Sequence, residues 1–209
     1  MSIITLREAD LDFDPTRATS EDLANLETLY QRSSALASQH LTGLIGTNFS
    51  IQLSSLETQP FTSIIDAVHH DQRFQTGIHS RVTGDLRGEL YLFFSKSSAH
   101  RLVQIGFKRK GFGSLFLNRL EESFLNEFAN IFFNAFWQGF NEKIAIRWWL
   151  TPPKTLNRPG YALSLANRIY ARERLAFLAD LDLVETKTGS ILIYLPAEDS
   201  IDAFLRYLH

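Results

Sequence analysis

Several features that define other protein classes are missing from this sequence. It has no cysteine, which excludes disulfide frameworks and thiolate-bound metal sites. Its formal net charge at pH 7 is only −2, so it lacks the surplus of lysine and arginine that phosphate backbones attract. No apolar run approaches the ~18 residues of a membrane span. We therefore expect no nucleic-acid partner and no membrane insertion.

The first 18 residues are polar, and Pro15 interrupts any regular structure there. They lack the basic region and apolar core of a signal peptide, so we expect a cytoplasmic protein. Residues 1–18 are predicted to be a loosely attached segment, and residues 19–209 a single domain. A chain of 209 residues is long enough to bury roughly 70% of its unfolded surface.

A long helix is predicted from Ser114 to Phe140. Its expected buried face repeats every three or four residues, at Leu117, Leu120, Phe124, Phe128, Ile131 and Ala135. A second stripe with the same spacing is polar and consists of Ser123, Glu127, Asn130, Asn134 and Gln138. This stripe fits the solvent side of an amphipathic helix, and it also fits a site that uses a carboxylate and a carboxamide one turn apart.

The remaining sequence predicts a mixture of helices and strands. A first helix should run from the caps Thr19 and Ser20 to about Thr42, with Gly43 and Gly46 ending it. Alternating residues predict strands at 48–53, 74–82, 89–94, 144–150 and 191–195, the second and third forming a hairpin.

Four further segments complete this reading. Ser97 and Ser98 can cap a short helix that reaches Phe107, and a last helix should cover 201–208. The segment 61–68 fits either a strand or a helix, and 154–162 is predicted to be a loop. Composition favours a helix for 163–186, but its apolar residues fall mostly on odd positions, so we predict a strand there.

A motif in the long helix carries a family resemblance. Ser123 is followed after three residues by Glu127, after two more by Asn130, and Pro153 stands 23 positions beyond Asn130. This pattern resembles the active-site signature of the CheC/CheX/FliY family of chemotaxis phosphatases. The resemblance extends to the hairpin at 82–90 and to the C-terminal segment 190–208.

The resemblance implies an α+β fold. In that fold an antiparallel sheet carries two long helices on one face, in a CheC-like pseudo-twofold arrangement, and each helix can hold a site. Aligning the first helix with the second puts Thr28 at the position of the glutamate and Gln31 at that of the asparagine, with Ser54 in place of the proline. The first site is therefore expected to be degenerate, and its helix to serve for packing.

The implied activity is dephosphorylation of a phosphorylated CheY-like receiver. Asn130 would orient the attacking water, and Glu127 would pair with a lysine of the receiver. Ser123 would support Glu127 or the helix, and Pro153 would shape the strand end beside the site. Asn134, where the family usually has a small residue, would either crowd the partner or supply another amide.

No metal or cofactor of its own is expected, because the receiver would bring the divalent metal. His69, His70 and His79 have no carboxylate or cysteine at metal-site spacing beside them. A second interpretation remains open. The same surface would act as a binding module for a receiver, a flagellar-switch protein or a CheD-type partner without hydrolysis, and a homodimer is compatible with either interpretation.

Overall fold

The computed structural model describes residues 19–108, 117–141, 147–156, 159–169 and 174–206. The predicted N-terminal segment 1–18 lies outside these residues. So do the predicted helix start at 114–116, the strand residues 144–146 and the last residues of the terminal helix, 207–208.

Helices and strands alternate along the described chain. In order they are α1 (Ser20–Ile45), β1 (Ile51–Pro60), α2 (Phe61–His70), β2 (Thr76–Gly84), β3 (Gly88–Phe94), α3 (Lys96–Gly106), α4 (Arg119–Asn141), β4 (Trp148–Leu150), β5 (Lys154–Leu156), α5 (Pro159–Ile169), β6 (Leu175–Leu183), β7 (Thr188–Pro196) and α6 (Ile201–Arg206). This mixture of helices with an antiparallel sheet confirms the predicted α+β class.

All seven strands belong to one antiparallel sheet. The strand order is β1-β6-β7-β3-β2-β4, and β5 pairs with β2 beside β4. Every residue of the central strand β3 is buried. A strand that is buried on both sides needs cover on both faces of its sheet, and the helices provide it.

The two long helices, α1 and α4, pack together on one face of the sheet, as predicted. Tyr30 of α1 meets Phe136 of α4 edge-on, with ring centroids 4.8 Å apart. Gly139 lets the helices approach closely, since a Cβ there would lie 2.4 Å from Ser33 Oγ. The interface is therefore tightly packed, and it fixes how each helix is rotated about its axis.

Two shorter helices, α2 and α5, cover the opposite face, and the sequence analysis did not predict this layer. Phe61 and Ile64 of α2 and Leu163 of α5 pack on Phe93 and Ile193 of the sheet. The loop predicted at 154–162 is wrong, because β5 and the start of α5 lie there. The strand predicted at 163–186 is right for β6 and wrong for α5 and for the 3-10 turn Val184–Thr186, while 170–173 lie outside the described residues.

The chain repeats one order of elements, which produces the predicted pseudo-twofold arrangement. A long helix, an edge strand, a short helix, a hairpin and a helix occur first as α1, β1, α2, β2-β3 and α3. They occur again as α4, β4-β5, α5, β6-β7 and α6. Exchanging the halves also reverses the strand order of the sheet onto itself. The positions of β2 and β6 differ by 99 residues, as do those of Thr28 and Glu127.

Some predicted boundaries differ from those observed. The hydroxyl of Ser95, and not Ser97 or Ser98, caps α3 by accepting from the Ser98 amide at 3.0 Å, because the strand before it ends at Phe94. The strand predicted at 48–53 begins at Ile51 and continues to Pro60 through its pairing with β6.

Two more differences concern the helices. The ambiguous segment 61–68 is helical and forms most of α2. Gly43 lies inside α1, and Gly46, with a φ of 73°, ends it in the left-handed conformation that glycine permits.

Candidate functional site

A capping box sets the start of α4 and therefore the direction of its polar face. Asn118 Oδ1 accepts from the Leu120 and Glu121 amides at 2.9 and 3.1 Å, and Glu121 Oε2 accepts from the Asn118 amide at 2.9 Å. Glu121 consequently turns inward and Leu120 is 56% exposed, contrary to the predicted buried stripe. The Asn-x-x-Glu spacing was available in the sequence as a signal for this start.

The phenylalanines of α4 point away from the polar face. Phe128, Phe132, Phe133, Phe136 and Phe140 are each at most 1% exposed and belong to the core between α4, α1 and the sheet. The bulky side chains of Phe132 and Phe133, which stand between Asn130 and Asn134 in the sequence, are therefore buried. They do not lie over the site.

The polar stripe faces solvent, as predicted. Ser123, Glu127, Asn134 and Gln138 are exposed, and Asn130 is partly exposed. Among the described residues, no hydrogen bond or ion pair engages the Glu127 carboxylate. An acid without a partner among the described residues and an accessible carboxamide one turn away are thus presented to an approaching protein.

The other polar side chains of the stripe bond within the helix. Ser123 Oγ donates to the Arg119 carbonyl at 2.8 Å, so it supports the helix and not Glu127. Asn134 Nδ2 donates to the Asn130 carbonyl oxygen at 2.7 Å and to Asn130 Oδ1 at 3.2 Å. Asn134 therefore contacts the one carboxamide that the motif assigns to chemistry.

Pro153 lies between β4 and β5, beside the same part of α4. The two strands pair with β2 in registers that differ by one residue, and the proline segment occupies this irregularity. Just beyond it, Thr155 Oγ1 donates to Asn126 Oδ1 on α4 at 2.9 Å. This bond holds the proline segment next to the residue that precedes Glu127. The sequence analysis missed Asn126 and Thr155, and no motif points to them.

On the equivalent face of α1, the side chains at the three motif positions form hydrogen bonds within the protein. Thr28 Oγ1 donates to the Ala24 carbonyl at 3.1 Å, and Gln31 Nε2 donates to Glu27 Oε1 at 3.3 Å. Ser54, at the position of the proline, donates to Asp182 Oδ2 at 2.6 Å. Thr28 and Gln31 are exposed, but neither presents an acid at the position of Glu127.

The described part of the chain has neither a metal site nor a membrane span. It contains no group of three or more histidine, cysteine, aspartate or glutamate side chains that could hold a metal ion. Of the three histidines considered, His79 Nε2 lies 2.6 Å from Glu89 Oε2, and His69 Nε2 lies 3.4 Å from Ser164 Oγ. None of the described helices is long and apolar enough to cross a bilayer.

Comparison with known proteins finds likeness in structure and none in sequence. No protein-family model matches the chain, and no curated protein does. FliY from Thermotoga maritima has a TM-score of 0.69 at 14% identity, over 91% of this chain and 96% of that one. A chain of the FliG-FliM complex from H. pylori has a TM-score of 0.69 at 10% identity, over 90% and 99%.

A chain of the CheX-CheY-BeF3-Mg+2 complex from Borrelia burgdorferi has a TM-score of 0.53 at 14% identity, over 80% of this chain and 98% of that one. At such identities these likenesses establish the fold. It is the fold of FliY and CheX, which the resemblance of the motif implied, and also of FliM, which it did not name.

Proposed function

We propose that the exposed face of α4 dephosphorylates the phosphoaspartate of a CheY-like receiver protein in chemotaxis signalling. The observation that supports this most directly is the joint accessibility of Glu127 and Asn130 on one turn of α4. The chain shares its fold with a protein from a CheX-CheY complex that holds BeF3 and magnesium. A face of this kind would reach a receiver active site as a protruding ridge.

Few groups of this protein are needed for hydrolysis of the phosphoaspartate. Hydrolysis of an acyl phosphate needs a water in line with the leaving oxygen and stabilisation of charge on the phosphoryl oxygens. A carboxamide can accept a hydrogen bond from that water without bringing negative charge to the phosphoryl group. Asn130 has such a carboxamide on the accessible face, so it is the residue that would orient the water.

Glu127 would fix the register of the two proteins. Its carboxylate has no partner among the described residues, and it would pair with the lysine of the receiver site. The divalent metal would belong to the receiver, and this chain would supply no cofactor. Such a partner would place the activity in the cytoplasm.

The test is the decay of a phosphorylated CheY-like receiver with and without the protein. Asn130→Ala should reduce the acceleration by about 100-fold, in the range that positioned groups contribute to proton transfer and orientation. Gln31→Ala, the equivalent change on α1, is the matched control and should leave the rate unchanged. An Asn130→Ala variant as active as the parent would refute the assignment.

A second candidate function is a binding module of the flagellar switch. The fold likeness supports it as well, since a chain of the FliG-FliM complex reaches a TM-score of 0.69, the same as FliY. The same decay assay separates the two functions, because a pure binder leaves receiver decay unchanged or slows it. In that case binding to FliG-like and CheD-type proteins, and self-association, should be measured next.

A further inference from the structure

We propose that Asn134 is a positioning residue that locks the carboxamide of Asn130 in one orientation. This inference rests on the proposed function, because it concerns the residue that would orient the attacking water. Asn134 lies one turn after Asn130 on the same exposed face of α4, and its side chain bonds both the backbone and the side chain of Asn130.

The orientation of both amides follows from the chemistry of a single atom. The carbonyl oxygen of Asn130 can only accept a hydrogen bond, so the Asn134 atom 2.7 Å from it must be the donor Nδ2. That same Nδ2 lies 3.2 Å from the side chain of Asn130. Because a donor needs an acceptor, the Asn130 atom facing it must be Oδ1, and Nδ2 of Asn130 must point away.

In this arrangement the Asn130 carboxamide keeps hydrogen-bonding groups that a water or a partner protein can use. A carboxamide oxygen has two lone pairs, and the bond from Asn134 uses one. Since no other described residue bonds this side chain, the second lone pair of Asn130 Oδ1 remains to accept from a water, and Nδ2 of Asn130 remains to donate. An exposed asparagine without such a neighbour would turn about its terminal torsion and present either end. Asn134 therefore fixes in the free protein an orientation that binding would otherwise have to select.

Asn134 is also separable from its neighbours in the stripe. Gln138, one turn further on, is exposed on the same face and has no hydrogen bond to Asn130. Removing Gln138 alters the same surface without touching the locked carboxamide. Gln138→Ala is thus a control for general effects of the polar stripe on partner docking.

Nuclear magnetic resonance of the free protein tests the lock without any partner. The side-chain amide hydrogens of Asn134 should exchange with water more slowly than those of Gln138. The Asn130 side-chain amide signals should shift in Asn134→Ala and stay in place in Gln138→Ala. If the Asn134 amide exchanges as fast as that of Gln138, the lock does not exist and the proposal fails, whatever the activity of the protein.

Receiver dephosphorylation tests what the lock does. Asn134→Ala should lower kcat by about 5-fold, because the misoriented carboxamide holds the water less often, while KM stays within about 2-fold. Asn134→Asp keeps the size of the side chain and removes its donor, so it should lower kcat at least as much. Gln138→Glu adds the same charge one turn away and controls for repulsion of the phosphoryl group.

The outcomes distinguish this proposal from the proposed function. A parent protein that accelerates decay, together with an Asn134→Ala variant that is equally or more active, overturns the role of Asn134 alone. A parent that does not accelerate decay overturns the proposed function and the catalytic role of Asn134 with it. The exchange experiment still decides in that case whether the Asn130 carboxamide is locked.

Discussion

On α1 and α4, residues 99 positions apart occupy equivalent places in the fold and carry different chemistry. Glu127 on α4 has no partner among the described residues, whereas Thr28 on α1 donates to the carbonyl of its own helix. Asn130 presents a lone pair and a donor, whereas Gln31 is bonded to Glu27. Both helices are exposed on this side, but the acid and carboxamide of α1, Glu27 and Gln31, bond each other, whereas the Glu127 carboxylate of α4 has no partner among the described residues.

The difference shows which side of each helix the fold depends on. The inner sides of α1 and α4 meet along Tyr30, Ser33, Phe136 and Gly139, and they fix the position of both helices. Among the described residues, the exposed positions on the outer sides make no such contact between the helices, so they can change at little cost in stability. A pseudo-twofold fold can therefore lose a site on one helix and keep it on the other.

The opposite face of the sheet shows a second contrast between the halves. On β2, His79 and Arg81 flank the buried carboxylate of Glu89, at 2.6 and 3.1 Å. The equivalent positions on β6 are Leu178, which packs under α2 and α5, and Asp180, which is bonded to Arg73. Strand pairing places Ile191 at the position equivalent to Glu89, so the first half buries an acid next to two basic side chains where the second half buries an apolar side chain.

The largest effect is expected where the two helices cross. A Cβ on Gly139 would lie 2.4 Å from Ser33 Oγ and 2.7 Å from Ser33 Cα, so Gly139→Ala must move α1 from α4. We expect a loss of about 1–3 kcal/mol in the free energy of unfolding, measured by urea denaturation. Gly43→Ala is the control, because a Cβ there meets nothing within 4 Å. It should stabilise α1 by roughly 0.5–1 kcal/mol, and equal losses in both variants would contradict close packing at Gly139.

A smaller effect, on binding, is expected from Glu127, and its equivalent on α1, Thr28, serves as the comparison. Glu127→Ala should raise the KM for a phosphorylated receiver by about 10-fold with little change in kcat, since it removes a charge pair made on docking. Thr28→Ala should change neither constant. A Glu127→Ala variant that loses kcat at unchanged KM would instead place the carboxylate in the chemical step.

The sequence predicted the parts of the fold that local pattern controls. Thr19 caps α1 as expected, and Asp22 completes a capping box there. The hairpin of β2 and β3 and the outward direction of Glu127 followed from alternation and helical spacing. These features depend on neighbours a few residues apart, which a single sequence contains.

The sequence did not predict what depends on contacts between distant segments. The sequence predicts a strand over part of α5 because the odd-numbered apolar positions of β6 continue back to Ile169, the last residue of α5. The position of α5 is set by packing on α2, where Gly160 meets His69. One signal for this layer was present, since the continuous apolar run of β3 indicates a strand covered on both faces.

The candidate site was predictable in its residues and not in its hydrogen bonds. The motif gave Glu127, Asn130 and Pro153, but the bond between Asn126 and Thr155 depends on residues 29 apart in the chain. The hydrogen bond that Asn134 donates to Asn130 Oδ1 likewise depends on the rotamers of the two side chains, which their spacing in the sequence does not determine.

Glu89, the buried acid of the first half, makes the free energy of unfolding depend on pH. Burial raises the pKa of Glu89, but the hydrogen bond and charge of His79, together with Arg81, lower it more, so the net pKa lies below its ordinary value. A lowered pKa stabilises the fold above the unfolded value of about 4.3, and this stability is lost as the pH falls through the folded pKa.

Glu89→Gln should therefore lower the free energy of unfolding by about 1 kcal/mol at pH 7 and flatten its decline between about pH 5 and pH 3. Urea denaturation at a series of pH values measures both effects. Glu127→Gln, which makes the same change of charge at an exposed position on α4, is the control. If the free energy of unfolding falls with pH equally steeply in the parent and in Glu89→Gln, Glu89 is not the acid that causes the loss of stability.

The smallest effect is expected from rebuilding the α4 motif on α1. Thr28→Glu with Gln31→Asn, introduced into Asn130→Ala, restores an acid and a carboxamide at the equivalent places. We expect at most about a 2-fold gain in receiver dephosphorylation, because docking also needs the strand edge beside the helix. On α4 that edge is divided into β4 and β5 around Pro153, whereas on α1 the single strand β1 continues with a bulge at Ser54, whose hydroxyl bonds Asp182 in the neighbouring strand. A recovery to near the parental rate would show that two side chains on one helical turn suffice, and that the proline segment contributes nothing to the difference between the halves.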